Sequence, residues 1–240
     1  MKALILNSGM GRRMGALTDD RPKCMTAIGG GFTILSRQLR QLECAGISEV
    51  IITTGPFADA LRQHVEDLAL SIPVRYSPTP NYAATNYIVS IHCAAPLLTG
   101  DDVLLLHGDL VLEDSVLQDL LEYPANAVAV DHSLPLPEKD FKAKITSDYV
   151  TAIGVELSGN DCVACQPAYK WSASGFARWL TSIAVFISCG ETGVYAEKAF
   201  NALDGTLPLV PLDLHGRLCC EIDNPQDLKA VSARFLQLLL

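Results

Sequence analysis

A short apolar strand, Lys2-Ala3-Leu4-Ile5-Leu6, runs directly into a glycine-rich loop, Asn7 to Gly15. That junction restricts the fold more than any other feature of the chain. Glycines let a backbone turn sharply and come close to an anion, and successive N–H groups in such a turn form a concavity for phosphate. The loop reads Asn7-Ser8-Gly9-Met10-Gly11-Arg12-Arg13-Met14-Gly15, and its two adjacent arginines supply the positive charge that a triphosphate needs. It lacks the G-K-S/T of a Walker A loop, and Met14 stands at the third glycine position of a dinucleotide fingerprint. Arg21-Pro22-Lys23 follows a few residues later, which adds a third source of cations.

The rest of the chain repeats a strand–helix rhythm. Apolar spacing predicts a helix from Thr33 to Ala45, closed by Gly46, then a strand at Glu49–Thr53 and a helix from Phe57 to about Ala69. Val74-Arg75-Tyr76 reads as a third strand, and a proline-broken loop from Ser77 to Thr85 leads into a helix beginning near Asn86. Val103-Leu104-Leu105-Leu106-His107 is an uninterrupted apolar strand, as the middle of a parallel sheet requires. Asp114 reads as the cap of a helix over Ser115–Leu121. The alternation predicts an α/β fold with a Rossmann-like, doubly wound mixed sheet through about residue 130.

After Asp131 the rhythm changes. Phe141–Thr146 and Tyr149–Leu157 alternate like a hairpin turning at Asp148. Helices at Ala173–Ser188 and Thr192–Leu203, strands near Leu207–Pro211 and Leu218–Ile222, and a helix opened by Pro225 complete the reading. A single domain of residues 1–240 is expected, with a nucleotide-binding half over about 1–130 and an acceptor-binding half over about 131–240.

Composition narrows the partners. A formal charge of −9 argues against a nucleic-acid surface, and no apolar run approaches membrane-spanning length. Eight cysteines without a leader segment suggest free thiols in a reducing compartment, hence the cytoplasm. Cys162 and Cys165 form a lone C-x-x-C without a second well-spaced pair, so they read as small buried hydrophobes rather than zinc ligands. The oligomeric state stays open, a homo-oligomer included.

The opening segment L-N-S-G-M-G-R-R followed by Pro22-Lys23 resembles the nucleoside-triphosphate transferase family, MobA-like proteins and sugar nucleotidyltransferases among them. The family's signature is a strand, L-A-A-G-x-G-x-R and, about ten residues on, P-K. The resemblance implies the nucleotide-diphospho-sugar transferase type of sheet, with Arg13 and Lys23 as the catalytic cations and Arg12 beside them. Asn7 and Ser8 replace the usual alanines. Nucleotide contacts are expected from Leu6, Asn7, Ser8, Gly9, Gly11, Arg12 and Gly108. Asp109 follows a buried strand, where an open α/β sheet places its ligands, and matches the family's Mg²⁺-binding aspartate. Glu221-Ile222-Asp223, before Pro225-Gln226-Asp227-Leu228, looks like the family's late acidic segment. Strand alternation puts Glu221 and Asp223 on one face, and Asp223 is the second expected metal ligand, unless it merely caps the last helix.

The segment Asn81-Tyr82-Ala83-Ala84-Thr85-Asn86-Tyr87-Ile88-Val89-Ser90 resembles the pattern of cytidylyltransferases for phosphocholine and 2-aminoethylphosphonate. It implies CTP as donor, with Asn81, Thr85, Asn86 and Ser90 on the nucleotide. The family-like stretches Lys139–Ala143, Gln166–Lys170, Trp179-Leu180 and Tyr195–Glu197 point the same way. A cationic acceptor head wants carboxylates and aromatic faces, so Glu221, Tyr87, Tyr169 and Trp171 are candidates, with Lys142 or Lys170 for its phosphonate. The acceptor oxygen would attack the α-phosphorus in line, and an already ionised acceptor needs no general base. A sugar-1-phosphate acceptor on the same fold is the main alternative. An inactive regulatory module fits less well with candidate residues at all four catalytic positions, and a dinucleotide oxidoreductase would need an acidic residue where the chain has Thr53-Thr54-Gly55.

Overall fold

The computed structural model describes all 240 residues. The chain runs β1 (Lys2–Leu6), 3-10 turns at Arg12–Thr18 and Lys23–Met25, a small hairpin of β2 (Ala27–Gly29) and β3 (Phe32–Thr33), then α1 (Ile34–Cys44). Next come β4 (Glu49–Thr54), α2 (Ala58–Asp67), β5 (Val74–Pro78), α3 (Tyr87–Leu98), β6 (Val103–His107), β7 (Leu110–Leu112), α4 (Asp114–Glu122) and β8 (Ala127–Asp131). The remainder is β9 (Lys142–Thr146), β10 (Tyr149–Gly154), β11 (Cys162–Trp171), α5 (Ala173–Ser188), α6 (Glu197–Asn201), β12 (Val210–Asp213), β13 (Cys219–Glu221) and α7 (Pro225–Leu238).

β1 lies in the middle of a nine-stranded mixed sheet, parallel to β4 on one side and β6 on the other, and β5 extends β4 in parallel. Both faces of this part are buried. Leu4, Ile51 and Leu105 face a core completed by α3 and α5 through Ile91, Phe176 and Trp179. Ala3, Ile5, Val50 and Leu104 face the opposite core, completed by α1, α2 and α4. Burial on two faces is why these strands read as unbroken apolar runs instead of alternating ones.

β11 joins the two halves of the chain. Its C-terminal part pairs antiparallel with β6, with Tyr169 opposite Leu105, and also with β8, where Tyr169 is opposite Val128. Its N-terminal part takes the β9–β10 hairpin, and β12 continues the sheet beyond β8. No strand was expected here. Pro167 cannot donate to a ladder, and it falls where the β11–β8 register shifts between Cys165 and Tyr169, so a bulge absorbs what would otherwise break the strand.

Other elements follow the sequence closely. α5 spans Ala173–Ser188 as read, and Ser147 and Asp148, both with positive φ, form the two-residue turn of the β9–β10 hairpin. The helix expected over Thr192–Leu203 is only the five-residue α6. Asp114 is not a cap: it lies in the first turn of α4, where its carboxylate accepts from Arg37 and Gln41. Cys162 and Cys165 are both buried on β11, and all eight cysteines are unpaired. No helix is long and apolar enough to cross a membrane.

Candidate active site

The carboxyl ends of β1 and β6 open into a cleft of about 370 Å³. The glycine loop forms one wall. Its course is fixed by close approach: a Cβ on Gly55 would lie 2.2 Å from the Ser8 carbonyl oxygen, and one on Gly108 would lie 1.9 Å from Asn7 Oδ1. The Asn7 amide also donates to Thr53 Oγ1 at 2.9 Å. Gly11, with φ of 61°, takes the left-handed turn that redirects the chain into Arg12 and Arg13. Beside the loop, the Ser8 hydroxyl contacts Thr53 (3.0 Å), Ser90 (2.7 Å) and Thr79 (3.0 Å). This network backs a smaller cavity of about 190 Å³ that also borders Tyr82, Thr85 and Asn86. Asn86 caps α3 through its side chain, accepting from the Tyr87 amide at 2.8 Å.

Across the cleft floor, β13 pairs antiparallel with β7, and the Ile222 amide donates to the Asp109 carbonyl at 3.0 Å. That pairing brings Glu221 and Asp223 to Asp109. Lys23 sits between them, donating to Asp223 Oδ1 at 2.9 Å and ion-paired with Asp109. Arg13 reaches the same Asp223 oxygen at 2.8 Å. Asp223 is not the helix cap. Asn224 Oδ1 accepts from the amides of Gln226 and Asp227, and Asp227 returns the bond to the Asn224 amide, so the Asp223 carboxylate faces the cations.

Behind Lys23, His107 Nδ1 lies 3.0 Å from Glu221 Oε1. Asp109 Oδ1 and His107 Nε2 are buried without any hydrogen-bond partner. One donor atom each from His107, Asp109 and Glu221 lies within 4.8 Å of the others. The far wall is aromatic. Tyr87 meets the edge of His107 at 4.8 Å, Tyr195 lies 5.9 Å from Tyr87, and Phe141 lies 5.1 Å from Tyr195. Lys139 and Asp140 also line the cleft.

The sequence pattern of the MobA-like NTP transferase domain matches residues 3–141, which include the loop, Lys23 and Asp109. The chain belongs to that family. Among curated relatives of this transferase domain, CMP-5'-(3-aminopropyl)phosphonate synthase of Streptomyces rubellomurinus is 33% identical over 155 residues, 62% of this chain and 24% of that protein. The chain therefore spans about a quarter of that relative's length. CTP:phosphoglutamine cytidylyltransferase of Campylobacter jejuni is 25% identical over 182 residues, 69% of this chain and 70% of the relative. N-acetylmuramate alpha-1-phosphate uridylyltransferase of Neisseria meningitidis is 32% identical over 114 residues, 47% of this chain and 48% of the relative. The solved CTP:phosphocholine cytidylyltransferase of Streptococcus pneumoniae superposes with a TM-score of 0.75 at 19% identity, covering 98% of each chain. UDP-glucose pyrophosphorylase complexed with UDP-glucose superposes at 0.78 with 12% identity, covering 98% of each chain. The fold of the transferase domain is thus the nucleotide-diphospho-sugar transferase fold.

Electrostatics in the transferase domain follow from burial and the carboxylate cluster. Burial alone would lower the Lys23 ammonium, yet Asp109 and Asp223 outweigh it and hold it above its ordinary value. Burial would raise Asp109, but Lys23 and then His107 draw it below the usual carboxylate range. Glu221 is pushed up to about 7, by burial first and then by the charge of Asp109. Burial opposes protonation of His107, and its contact with Glu221 and the charge of Glu221 outweigh that and hold it above its ordinary value.

A divalent cation fits these residues. Asp109 offers an unused buried oxygen, and Asp223 and Glu221 add hard carboxylate donors, the ligand type Mg²⁺ prefers.

Four expected acceptor residues stand elsewhere. Trp171 and Tyr169 are buried in the core, stacked on each other with centroids 6.1 Å apart, because they fall on the two-sided part of β11. Lys142 and Lys170 are buried too, their ammonium groups spent on the carbonyls of Pro137 and Tyr123. Asn81 lines neither cavity; it takes positive φ, and its carbonyl accepts from Thr85 and the Ala84 amide. Leu6, Gly9, Gly11, Arg12, Arg13, Lys23, Tyr87, Gly108, Asp109, Glu221 and Asp223 do line the cleft, and Ser8, Thr85, Asn86 and Ser90 line the smaller cavity. Sequence reasoning passed over Phe141, Tyr195, Lys139 and His107 as site residues. His107 carried a signal as a polar residue closing an otherwise apolar strand, and Lys139, Phe141 and Tyr195 lay within stretches already noted as family-like.

Proposed function

We propose that this chain is a Mg²⁺-dependent cytidylyltransferase. It transfers CMP from CTP to an oxygen of a small ammonium-bearing phosphonate or phosphate, 2-aminoethylphosphonate or phosphocholine, and releases pyrophosphate. One observation carries the reading: a single cleft is lined both by the cations Arg12, Arg13 and Lys23 and by Glu221, Asp140 and the aromatic side chains Tyr87, Tyr195 and Phe141. Cations suit a triphosphate; carboxylates and ring faces suit an ammonium head. Relatives named for cytidine-nucleotide chemistry support the choice of base. The unpaired cysteines suit the reducing cytoplasm.

In this reading the glycine loop and Arg12 hold the triphosphate, and the Ser8–Ser90 hydroxyls border the base. The acceptor oxygen attacks the α-phosphorus; that P–O bond forms as the bond to the bridging oxygen breaks and pyrophosphate departs. The acceptor arrives ionised, so no side chain has to take its proton. Lys23 and Arg13 neutralise charge that builds on the phosphoryl oxygens. Asp109 and Asp223 would hold the Mg²⁺, which supplies further charge neutralisation on the phosphates.

A sugar-1-phosphate acceptor remains the second reading, favoured by the likeness to the Neisseria uridylyltransferase. Pyrophosphate release from four NTPs against 2-aminoethylphosphonate, phosphocholine and hexose-1-phosphates separates the two. CTP with the amino or choline acceptors supports the proposal, and release only with sugar phosphates rejects it.

A further inference from the structure

Glu197, in α6, is 2% exposed, and no cation pairs with it. Its two carboxylate oxygens accept from two tyrosine hydroxyls, Tyr169 at 2.8 Å and Tyr87 on the other side. Burial, and then the charge of Glu197, hold both phenols far above their ordinary titration range, so both remain donors. α6 itself is clamped to α5, since the Trp179 indole donates to the Ala196 carbonyl at 3.2 Å and Ser182 to that of Ala199 at 2.7 Å. A buried carboxylate with only neutral partners is costly, and the fold fixes this one in place one side chain behind the cleft.

We propose that Glu197 is a positioning residue that makes the acceptor pocket select a cationic head over a hydroxyl-bearing one. Tyr87 is the link. Its hydroxyl is committed inward to Glu197, so the cleft meets the ring of Tyr87 and not its hydrogen-bonding end. Donation to a carboxylate also enriches the ring in electron density, which strengthens its attraction for an ammonium group. The charge of Glu197 acts from behind the Tyr87 ring, in buried surroundings that screen it little. A sugar hydroxyl would find neither a free Tyr87 hydroxyl nor any use for the negative field.

The inference rests on the ammonium-acceptor reading above, and its test keeps the two apart. Steady-state kinetics compare 2-aminoethylphosphonate with 2-hydroxyethylphosphonate, a near-isostere with a neutral head, in the unmodified protein and in Glu197→Gln. The amide keeps the shape and removes the charge. The acceptor KM for the amine should rise about tenfold, with the KM for CTP and kcat within about twofold and the KM for the hydroxyl analogue unchanged. Glu197→Asp, which keeps the charge, should retain most of the preference. If E197Q does not fold, the same ratio is read from E197Q combined with Tyr169→Phe, which removes one of the two hydroxyls facing the amide. An unmodified protein that prefers the amine, with a neutral variant that keeps the preference in full, overturns this inference alone. An unmodified protein that uses both acceptors equally overturns the acceptor reading and this inference with it.

Discussion

Lys23 and Asp223, 200 positions apart, meet at 2.9 Å on the cleft floor, and Lys23 also pairs there with Asp109. One ammonium thus holds together two carboxylates that would otherwise repel, in a place where burial makes an unpaired charge expensive. The pairing ties the start of the chain to the link between its last strand and last helix. In the proposed mechanism it also keeps Asp109 and Asp223 together for the divalent cation.

Lys23→Met should therefore damage both folding and turnover. Asp109 would be left buried with an uncompensated charge, costing about 3 kcal/mol in urea unfolding. Turnover should fall about 10²–10³-fold through loss of transition-state charge stabilisation. Denaturation midpoints and steady-state kinetics on the same preparation separate the two effects.

Gly55→Ala tests the support of the loop rather than its charge. The added Cβ would press on the Ser8 carbonyl from 2.2 Å, and the atoms it meets are all Ser8 backbone, which cannot swing aside as a side chain could. A loss of about 1–3 kcal/mol is expected by thermal or chemical unfolding, together with a raised KM for CTP.

Ser90→Ala removes one hydroxyl from the network beside the smaller cavity. Nucleotide affinity should fall about threefold to tenfold, the worth of one hydrogen bond, while acceptor affinity is unmoved. Titration calorimetry with CTP reads this directly.

Glu221 gives the metal-free protein a pH signature. Its folded value, about 7, lies above the unfolded one, so the folded state binds the extra proton between them. The associated stability is complete below the unfolded carboxylate value and is lost as pH rises through about 7. In chelator-treated protein the loss should be on the order of 2 kcal/mol across that window. Glu221→Gln should flatten the slope, as measured by urea unfolding at a series of pH values.

The loop side of the cleft was legible because local sequence specifies it. Gly9 and Gly11 follow soon after a strand, Lys23 comes shortly afterwards, and Asp109 lies just beyond an apolar strand. The aromatic side of the cleft, the proposed acceptor end, was legible only in part, since tertiary pairing assembles it. Whether Tyr169 faces the cleft or the core depends on β11 lying between β6 and β8, and Pro167 hid that strand. Lys142 and Lys170 offered charge in the right half of the chain, but sequence could not show that carbonyls of Pro137 and Tyr123 already engage them. Tyr195 and Phe141, from two loops, reach the cleft through packing that no periodicity records. Asp223 is the converse case, where Asn224 and Asp227 form the capping box and leave its carboxylate to Lys23 and Arg13.

The central claim, transfer of CMP from CTP to an ammonium-bearing phosphorus acceptor, is tested most directly by phosphorus NMR of CTP and 2-aminoethylphosphonate, or phosphocholine, mixed with the protein and Mg²⁺. The account predicts a new mixed phosphoanhydride joining CMP to the acceptor, pyrophosphate in equal amount, and neither product when a chelator replaces Mg²⁺ or Asn replaces Asp109. Unchanged CTP with both acceptors, alongside nucleotide-sugar formation from a hexose-1-phosphate, would contradict it.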